Sequence, residues 1–217
     1  MNVATRGRAV ARRLLTKARR RPVALGTGLA VLAAGTVPIL ASIVTNDRAV
    51  IAATVRASVT TSEGQASGSQ PAISADGRYV AFVSKASSLG SSTYSQVYLR
   101  DLVDTTTRLV SASTTGGAAN NDSSSPVVSA DGRYVAFASW ASNLVGADGN
   151  GKQDVFVRDM AANSTALVSV ATGGAQANDN SNSPSISASG GRVAFVSNAT
   201  NLDPVDDLNG QHNPNVL

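Results

Sequence analysis

The sequence predicts an all-β fold: an incomplete β-propeller of about two to three four-stranded blades, preceded by an N-terminal hydrophobic helix. Three observations support this prediction: a nine-residue segment that occurs twice and a third time in a related form, short β-prone runs around each copy, and a long uncharged stretch near the N-terminus. The 217 residues include no cysteine, which excludes a disulfide scaffold, a catalytic thiol and a cysteine-ligated zinc site. Aromatic residues make up only 4% of the chain, which suits short strands and turns better than a large helical core.

The N-terminal segment, residues 1–21, holds most of the excess positive charge. It contains eight of the 18 basic residues, and no acidic residue precedes Asp47. From residue 23 onward, ten basic residues face 14 acidic ones, a net charge of −4. The pI of about 9.8 therefore does not indicate a nucleic-acid partner. It indicates a basic n-region that stays at the cytoplasmic face of a membrane.

Residues 22–44 carry no charge and, as a helix at ~1.5 Å per residue, are long enough to cross the hydrocarbon core of a bilayer. Two interpretations stay open, a secretory signal peptide and an uncleaved transmembrane anchor. Both place the body of the protein outside the cytoplasm. Arg12 and Arg13 fit either a twin-arginine export signal or an ordinary basic n-region. A linker is predicted at 45–53.

The body of the chain repeats. SADGRYVAF occurs at Ser74–Phe82 and again, with all nine residues identical, at Ser129–Phe137. SASGGRVAF follows at Ser187–Phe195. The offsets are 55 and 58 residues, and the difference of three lies in one loop, between Leu144 and Val155. Surface loops tolerate such insertions, so the repeat units are predicted at 71–125, 126–183 and 184–217.

Each unit is predicted to form four short strands, which in the first unit lie at 71–74, 79–84, 97–100 and 108–111. Runs such as YVAFV are apolar at consecutive positions, which is typical of strands covered on both faces. Radial stacking of four-stranded sheets covers both faces and produces a propeller. Small residues at Ala81, Ala136 and Ala194 would allow neighbouring sheets to approach closely.

The pattern P-x-I/V-S-A-D-G-R-Y-V-A-F-x-S, followed by V-F/Y-V/L-R-D and L-V-S, resembles the WD40-like (PD40) repeats of TolB-type propellers. The resemblance covers about residues 54–217, the predicted partial propeller. It implies a propeller that docks proteins or other ligands outside the cytoplasm. It is also similar to propellers that precede serine hydrolase domains.

The predicted repeat units are too few to close a propeller ring within one chain. Propellers need about four to eight blades, whereas residues 54–217 hold just under three units. The segment Thr54–Thr61 aligns with a fourth strand only, as if it completed a blade. The sequence therefore predicts either a truncated part of a longer propeller or a chain that closes its ring by self-association.

A loop of the second unit is a candidate Ca²⁺ site. Asp148, Asn150 and Asp154 supply hard oxygen ligands in a D-x-N-G-x-x-[DN] pattern, which recurs at 207–213. The alternative is a polar hairpin whose Asn-Gly pair is a favourable turn. No other cofactor is expected.

Recurring Asp-Gly and Arg-Asp pairs are interpreted as architecture. These residues are expected to form turns, with the carboxylates accepting backbone N–H groups: Asp76, Gly77, Asp131, Gly132, Asp101 and Asp159.

Catalysis has little support in the sequence. His212 is the only histidine, no G-x-S-x-G motif is present, and no glycine-rich phosphate loop follows a strand. Trp140, where the other units have Lys85 and Asn198, fits either an exposed stacking platform or packing against a loop.

The function predicted is that of an exported or membrane-anchored, non-enzymatic TolB-like module that docks an unidentified extracytoplasmic protein or ligand through its loops. One alternative is the propeller portion of a larger peptidase or glycan-acting enzyme. Another is a truncated product without independent function.

Overall fold

The computed structural model describes residues 40–45, 50–90, 93–146, 148–202 and 215–216. Within this part of the chain the regular structure is almost entirely β, with one short 3₁₀ turn at Ser87–Leu89. The strands are β1 Leu40–Thr45, β2 Val50–Arg56, β3 Ser69–Ile73, β4 Tyr79–Ser84, β5 Gln96–Asp101, β6 Thr106–Leu109, β7 Ser123–Val128, β8 Tyr134–Ser139, β9 Asp154–Asp159, β10 Ser164–Leu167, β11 Ser181–Ile186, β12 Val193–Ser197 and β13 Asn215–Val216.

Two complete four-stranded antiparallel sheets occupy the middle of the described chain. Blade 1 has the strand order β3-β4-β5-β6, and blade 2 has the order β7-β8-β9-β10. A partial blade follows, with the order β11-β12-β13, and a pair of strands, β1-β2, precedes blade 1. The all-β fold with four-stranded blades is therefore confirmed.

The N-terminal hydrophobic run is described only at its end. Residues 22–39 of the predicted helix lie outside the described residues. Residues 40–44, predicted to end that helix, instead belong to β1, which pairs antiparallel with β2. The predicted linker at 45–53 is corrected as well, because residue 45 belongs to β1 and residues 50–53 belong to β2. The β-branched residues here favour strands, in which the paired backbones satisfy each other: Ile43, Val44, Val50 and Ile51.

No helix in the described part of the chain has the length and apolar character to cross a membrane.

A proline marks the edge strand of each blade. Pro71, Pro126 and Pro184 lie in β3, β7 and β11, where a missing N–H costs little because one side of the strand has no sheet neighbour. The register shifts by a bulge at the same place in each of these strands. The residue before each proline has a positive φ, namely Gln70 at 49°, Ser125 at 52° and Ser183 at 50°.

The largest hydrophobic cluster lies between blade 1 and blade 2. Ala81, Val83 and Leu99 from blade 1 meet Phe137 and Phe156 from blade 2. The alternate residues of β4, Val80 and Phe82, point the other way and pack with Ala57. Burial on both faces is therefore confirmed for the central strands β4, β5 and β8 of the complete blades.

A stacked pair of rings recurs in both complete blades. Phe82 and Tyr98 lie opposite each other across β4 and β5, with ring centroids 5.8 Å apart. Phe137 and Phe156 repeat the arrangement across β8 and β9, also at 5.8 Å. Pairs of this kind stabilise a sheet beyond the area that they bury.

A tyrosine of each complete blade lies against a glycine of the next. A Cβ placed on Gly132 would lie 2.2 Å from the ring of Tyr79, and a Cβ on Gly190 would lie 2.2 Å from the ring of Tyr134. Both glycines also have positive φ, +71° and +73°. The Asp-Gly turn therefore needs glycine for two reasons, backbone conformation and the ring that covers it.

A buried arginine of the third strand joins each complete blade to the connection before it. Arg100 donates to Thr60 O at 3.3 Å and pairs with Glu63. Arg158 donates to Ser113 O at 3.1 Å and to Thr165 Oγ1 at 3.1 Å. The bonds to Thr60 O and Ser113 O satisfy carbonyl groups in the inter-blade connections and fix their position.

Gly132→Ala should lower the free energy of unfolding, because its Cβ would overlap the Tyr79 ring, and overpacking of this kind costs about 1–3 kcal/mol. Gly116→Ala is the matched control. Gly116 also has a positive φ, +89°, but no atom lies within 4 Å of its added Cβ. Chemical denaturation should show the larger loss for Gly132→Ala. Equal losses would contradict a ring contact that joins the blades.

Candidate functional site

The Asp-Gly turns form a compact hydrogen-bonded unit at one end of each complete blade. Asp76 Oδ1 accepts from Ser74 Oγ at 2.5 Å and from the backbone N–H of Arg78 at 3.0 Å. Ser74 Oγ in turn accepts from the N–H of Tyr79 at 2.9 Å. In blade 2, Asp131 occupies the same place, with distances of 2.6 and 3.0 Å to its two donors.

The second pair of carboxylates lies at the same end of the blades. Asp101 accepts three hydrogen bonds from the guanidinium of Arg78, the shortest at 2.7 Å, and two from the backbone N–H groups of Val103 and Asp104, at 2.9 and 3.0 Å. Asp159 repeats the arrangement with Arg133, at 2.9 Å. The Asp-Gly-Arg turn and the later Arg-Asp pair of each repeat are thus brought together.

These bonds lower the pKa of both carboxyl groups. Burial opposes the shift at Asp101, but hydrogen bonds from Arg78 and from two backbone N–H groups outweigh it and lower the pKa to about 2. For Asp159 the hydrogen bond from Arg133 is the main cause, and the pKa is also about 2. Both groups are therefore ionised at neutral pH.

Removing both carboxylates should flatten the acid limb of the stability curve. Their folded-state pKa lies below the unfolded value of ~3.9, so the stability that they contribute is present above about pH 4 and is lost as the pH falls toward 2. The doubly substituted protein, Asp101→Asn with Asp159→Asn, should be less stable at pH 7 and should lose less between pH 4 and pH 2. Denaturation over that range measures both effects, and parallel curves would contradict the assignment.

A cleft of about 350 Å³ opens between blade 1 and blade 2 beside these ion pairs. Leu99 and Met160 are among its apolar residues. Arg108 crosses from one blade to the other, donating to Met160 O and to Asn163 Oδ1, both at 2.8 Å. Arg78 and Arg133 in its wall are already paired with carboxylates. The side chains that line the cleft therefore serve mainly to hold the two blades together.

The candidate Ca²⁺ loop lies at the opposite end of blade 2, next to the start of β9. Asp154 is fully buried and accepts from Ser169 Oγ at 2.6 Å and from Asn150 Nδ2 at 2.7 Å. Asn150 also donates to Ala177 O at 3.0 Å, and its side-chain oxygen accepts from the N–H of Lys152 at 2.8 Å. The recurrence of the pattern at 207–213 lies outside the described residues.

Blade 1 shows what this arrangement replaces. Gln96, at the position of Asp154, is also fully buried, and its Nε2 donates to Ala119 O at 2.9 Å. Its Oε1 accepts from Ser111 Oγ at 2.6 Å. In blade 2 the amide of Asn150 reaches the corresponding carbonyl, Ala177 O, and also donates to Asp154. Asn150 and Asp154 together thus make the bonds that one glutamine makes in blade 1.

Burial raises the pKa of both carboxyl groups in this loop. The pKa of Asp148 rises to about 6, through burial first and then through the charge of Asp154. Burial also raises the pKa of Asp154, against the bonds from Ser169 and Asn150. Among the described residues, no three histidine, cysteine or acidic side chains come close enough to hold a metal. Ca²⁺ binding here stays a prediction.

Asp148→Asn should stabilise the protein at neutral pH and have little effect at pH 4. The pKa of Asp148 is raised to about 6 in the folded state, above its unfolded value of ~3.9, so stability is lost as the pH rises through this range. Denaturation of wild type and variant at pH 4 and pH 7 measures the difference. An equal effect at both pH values would contradict it.

The same variant tests the Ca²⁺ hypothesis. If the loop binds the ion, millimolar Ca²⁺ should raise the melting temperature of the wild type and leave Asp148→Asn unchanged, because a ligand stabilises the state that binds it. A wild-type melting temperature that Ca²⁺ does not move would contradict the hypothesis.

The loop end of the blades also presents two aromatic side chains. Trp140 is 43% exposed and Tyr94 is 39% exposed. Asp122 connects their segments, because its carboxylate accepts from the N–H of Ser95 at 2.7 Å and its carbonyl accepts from the N–H of Trp140 at 3.0 Å. The exposure of Trp140 agrees with the stacking platform, one of the two interpretations that the sequence leaves open.

No family model matches the chain, and no curated protein matches it. Among solved structures it is similar to TolB from Acinetobacter baumannii, at 16% identity over 76% of this chain and 31% of TolB, with a TM-score of 0.42. It is similar to the β-propeller domain of the trilobed protease from Pyrococcus furiosus, at 19% identity over 60% of this chain and 34% of that one, with a TM-score of 0.40.

A third similar structure is the tricorn protease, at 14% identity over 70% of this chain and 13% of that one, with a TM-score of 0.42. TolB and a propeller domain are among the structures to which the chain is similar. The chain spans about a third of the length of TolB.

Proposed function

We propose that this chain is a non-catalytic docking module, which binds a protein partner outside the cytoplasm through the loop end of its blades. The observation that carries the proposal is the exposure of Trp140, which is 43% accessible on a segment held by hydrogen bonds. Tryptophan and tyrosine dominate the energetic centres of protein interfaces, because they bury much surface at little cost in conformational entropy.

The position of Trp140 supports a role in contact with a partner. In the other two units the same position holds Lys85 and Asn198, and both of these are exposed. The architecture therefore does not need an aromatic residue here. Tyr94, at 39% exposure, adds a second aromatic surface beyond Asp122.

The chemistry of the chain supports a non-catalytic role. The sequence has no cysteine and a single histidine, His212, so a Ser-His-Asp or Cys-His site would depend on one residue. The charged groups Arg78, Asp101, Arg133 and Asp159 at the turn end pair with one another and fix the blades.

The charge distribution supports delivery outside the cytoplasm. Eight basic residues precede the uncharged run at 22–44, and the residues after it carry a net charge of −4. Positive charge on the N-terminal side of an apolar segment retains that side in the cytoplasm and sends the other side across.

Site-specific photo-crosslinking in the native host tests the docking surface. A photoreactive aromatic amino acid, which keeps a ring at the substituted position, replaces either Trp140 in blade 2 or Val103, which is 67% exposed in the turn end of blade 1. Irradiation should give a discrete adduct in the extracytoplasmic fraction from position 140 and not from position 103. An excess of the wild-type chain should prevent formation of the adduct, whereas an excess of the Trp140→Ala variant should not.

The same adduct at both positions, or an adduct that forms only in the cytoplasm, would contradict the proposal. The thermal stability of Trp140→Ala should stay close to that of the wild type, because the side chain is exposed. A large loss of stability would show that Trp140 packs as a structural residue.

A further inference from the structure

Blade 1 is exposed at its first strand, β3, on the face that points away from blade 2. Ile73 in β3 is 52% exposed, whereas Val128 and Ile186, at the same position in β7 and β11, are half-buried. Pro71 is exposed too, although its counterparts in the next two blades are buried. In blade 2, Val128 packs into the cluster that contains Ala81 of blade 1. Ile73 lacks such a neighbour within the described residues.

The partial blade is exposed on the face of β12 that points away from blade 2. Ala194 in β12 is exposed, whereas its counterparts Ala81 and Ala136 are fully buried between blades. Val196 is half-buried, whereas Val83 and Ala138 are buried. In blade 1 these positions meet the next blade, so β12 presents the surface on which a blade would pack.

The strands at the two ends of the described chain, β1 with β2 and β11 with β12, correspond to the two halves of one blade. Arg56 aligns with Leu109, since each precedes an equivalent inter-blade connection, and Leu40↔Arg56 therefore matches the pair Tyr98↔Leu109. This register makes β1 and β2 a third and a fourth strand. The other end supplies β11 and β12, a first and a second strand. The short β13 pairs with only Val196 and Ser197, so within the described residues no strand lies beside Val193 and Ala194, where β1 would pair.

The turn contacts between blades show the same complementarity. Tyr79 covers Gly132 and Tyr134 covers Gly190, but no described atom lies within 4 Å of a Cβ placed on Gly77. At the position of the covering tyrosine, the third repeat has Arg192, which is exposed. Asp76, next to Gly77, is exposed and ionised, because hydrogen bonds from Ser74 and from the N–H of Arg78 lower its pKa. The turn at Asp76 and Gly77 therefore carries a negative charge, and no described side chain covers its glycine. Arg192, near the other end of the described chain, offers an exposed positive charge.

We propose that two copies of this chain join head to tail. In each seam, β11 and β12 of one copy combine with β1 and β2 of the other to complete a four-stranded blade. Ile73 then packs against Ala194 of the other copy, and Arg192 lies over the Asp76-Gly77 turn. Two complete blades from each copy and two shared blades form a closed ring of six, within the ~4–8 blades that propellers use. The seam is separate from the loop end at Trp140, so it does not depend on the proposed docking function.

Sedimentation of the full chain at several concentrations tests this assembly. A dimer of twice the 21.9 kDa chain mass is expected. Ile73→Asp should raise the dimer dissociation constant at least about tenfold, because it buries a carboxylate in the seam. Val103→Asp is the matched control, since Val103 is also an exposed apolar residue but lies outside the seam, and its dissociation constant should equal that of the wild type. Circular dichroism should show both variants folded.

Disulfide trapping gives a second readout, and the absence of native cysteines makes it specific. The double variant Ile73→Cys with Ala194→Cys should form an intermolecular disulfide under mild oxidation, whereas each single variant should not. Arg192→Glu should weaken the dimer, because its carboxylate would lie beside that of Asp76 in the seam.

Several results would overturn the proposal. A monomer at all concentrations with no trapped disulfide would mean that further blades of a longer chain, or another protein, cover these faces. A dimer that Ile73→Asp and Val103→Asp weaken equally would place the contact elsewhere.

Discussion

Contact between neighbouring blades stabilises this chain, because a four-stranded sheet of this size cannot bury both of its faces alone. The largest hydrophobic cluster takes residues from β4 and β5 of blade 1 and from β8 and β9 of blade 2. At the turn end, the ring of Tyr79 lies on Gly132, and Arg100 and Arg158 reach back to the preceding connections. Stability in such an architecture is a sum over units and their nearest-neighbour contacts.

The two ends of each blade have different tasks. At the turn end, the repeated residues use their hydrogen-bonding capacity on one another, as the five hydrogen bonds to Asp101 show. At the loop end, the units differ: Gln96 is replaced by Asp154 with Asn150, and Lys85 by Trp140. Variation between otherwise similar units is tolerated where backbone packing does not depend on it. The docking surface that we propose lies at this variable end.

The sequence predicts the blades well because their signals are local. Nine identical residues fix a turn and a strand, and Asp76 of the turn accepts hydrogen bonds from Ser74 and Arg78, each only two residues away. Contacts between distant residues could not be predicted. The bond from Arg78 to Asp101 spans 23 residues, and only the sheet register brings the two together. The role of Asn150 follows only from comparison with Gln96. The strand β1 could not be predicted, because its uncharged, apolar residues continue a run that also fits a helix.

Native-state hydrogen exchange would test the dependence of each blade on its neighbour most directly. If the cluster between the blades holds them together, the backbone amides of β4 and β8 should open with the same free energy, as one cooperative unit. Tyr79→Leu should lower both values by the same amount, because the ring belongs to one blade and its glycine partner to the other. Independent opening, in which β4 exchanges at lower free energy while β8 stays protected, would contradict this account.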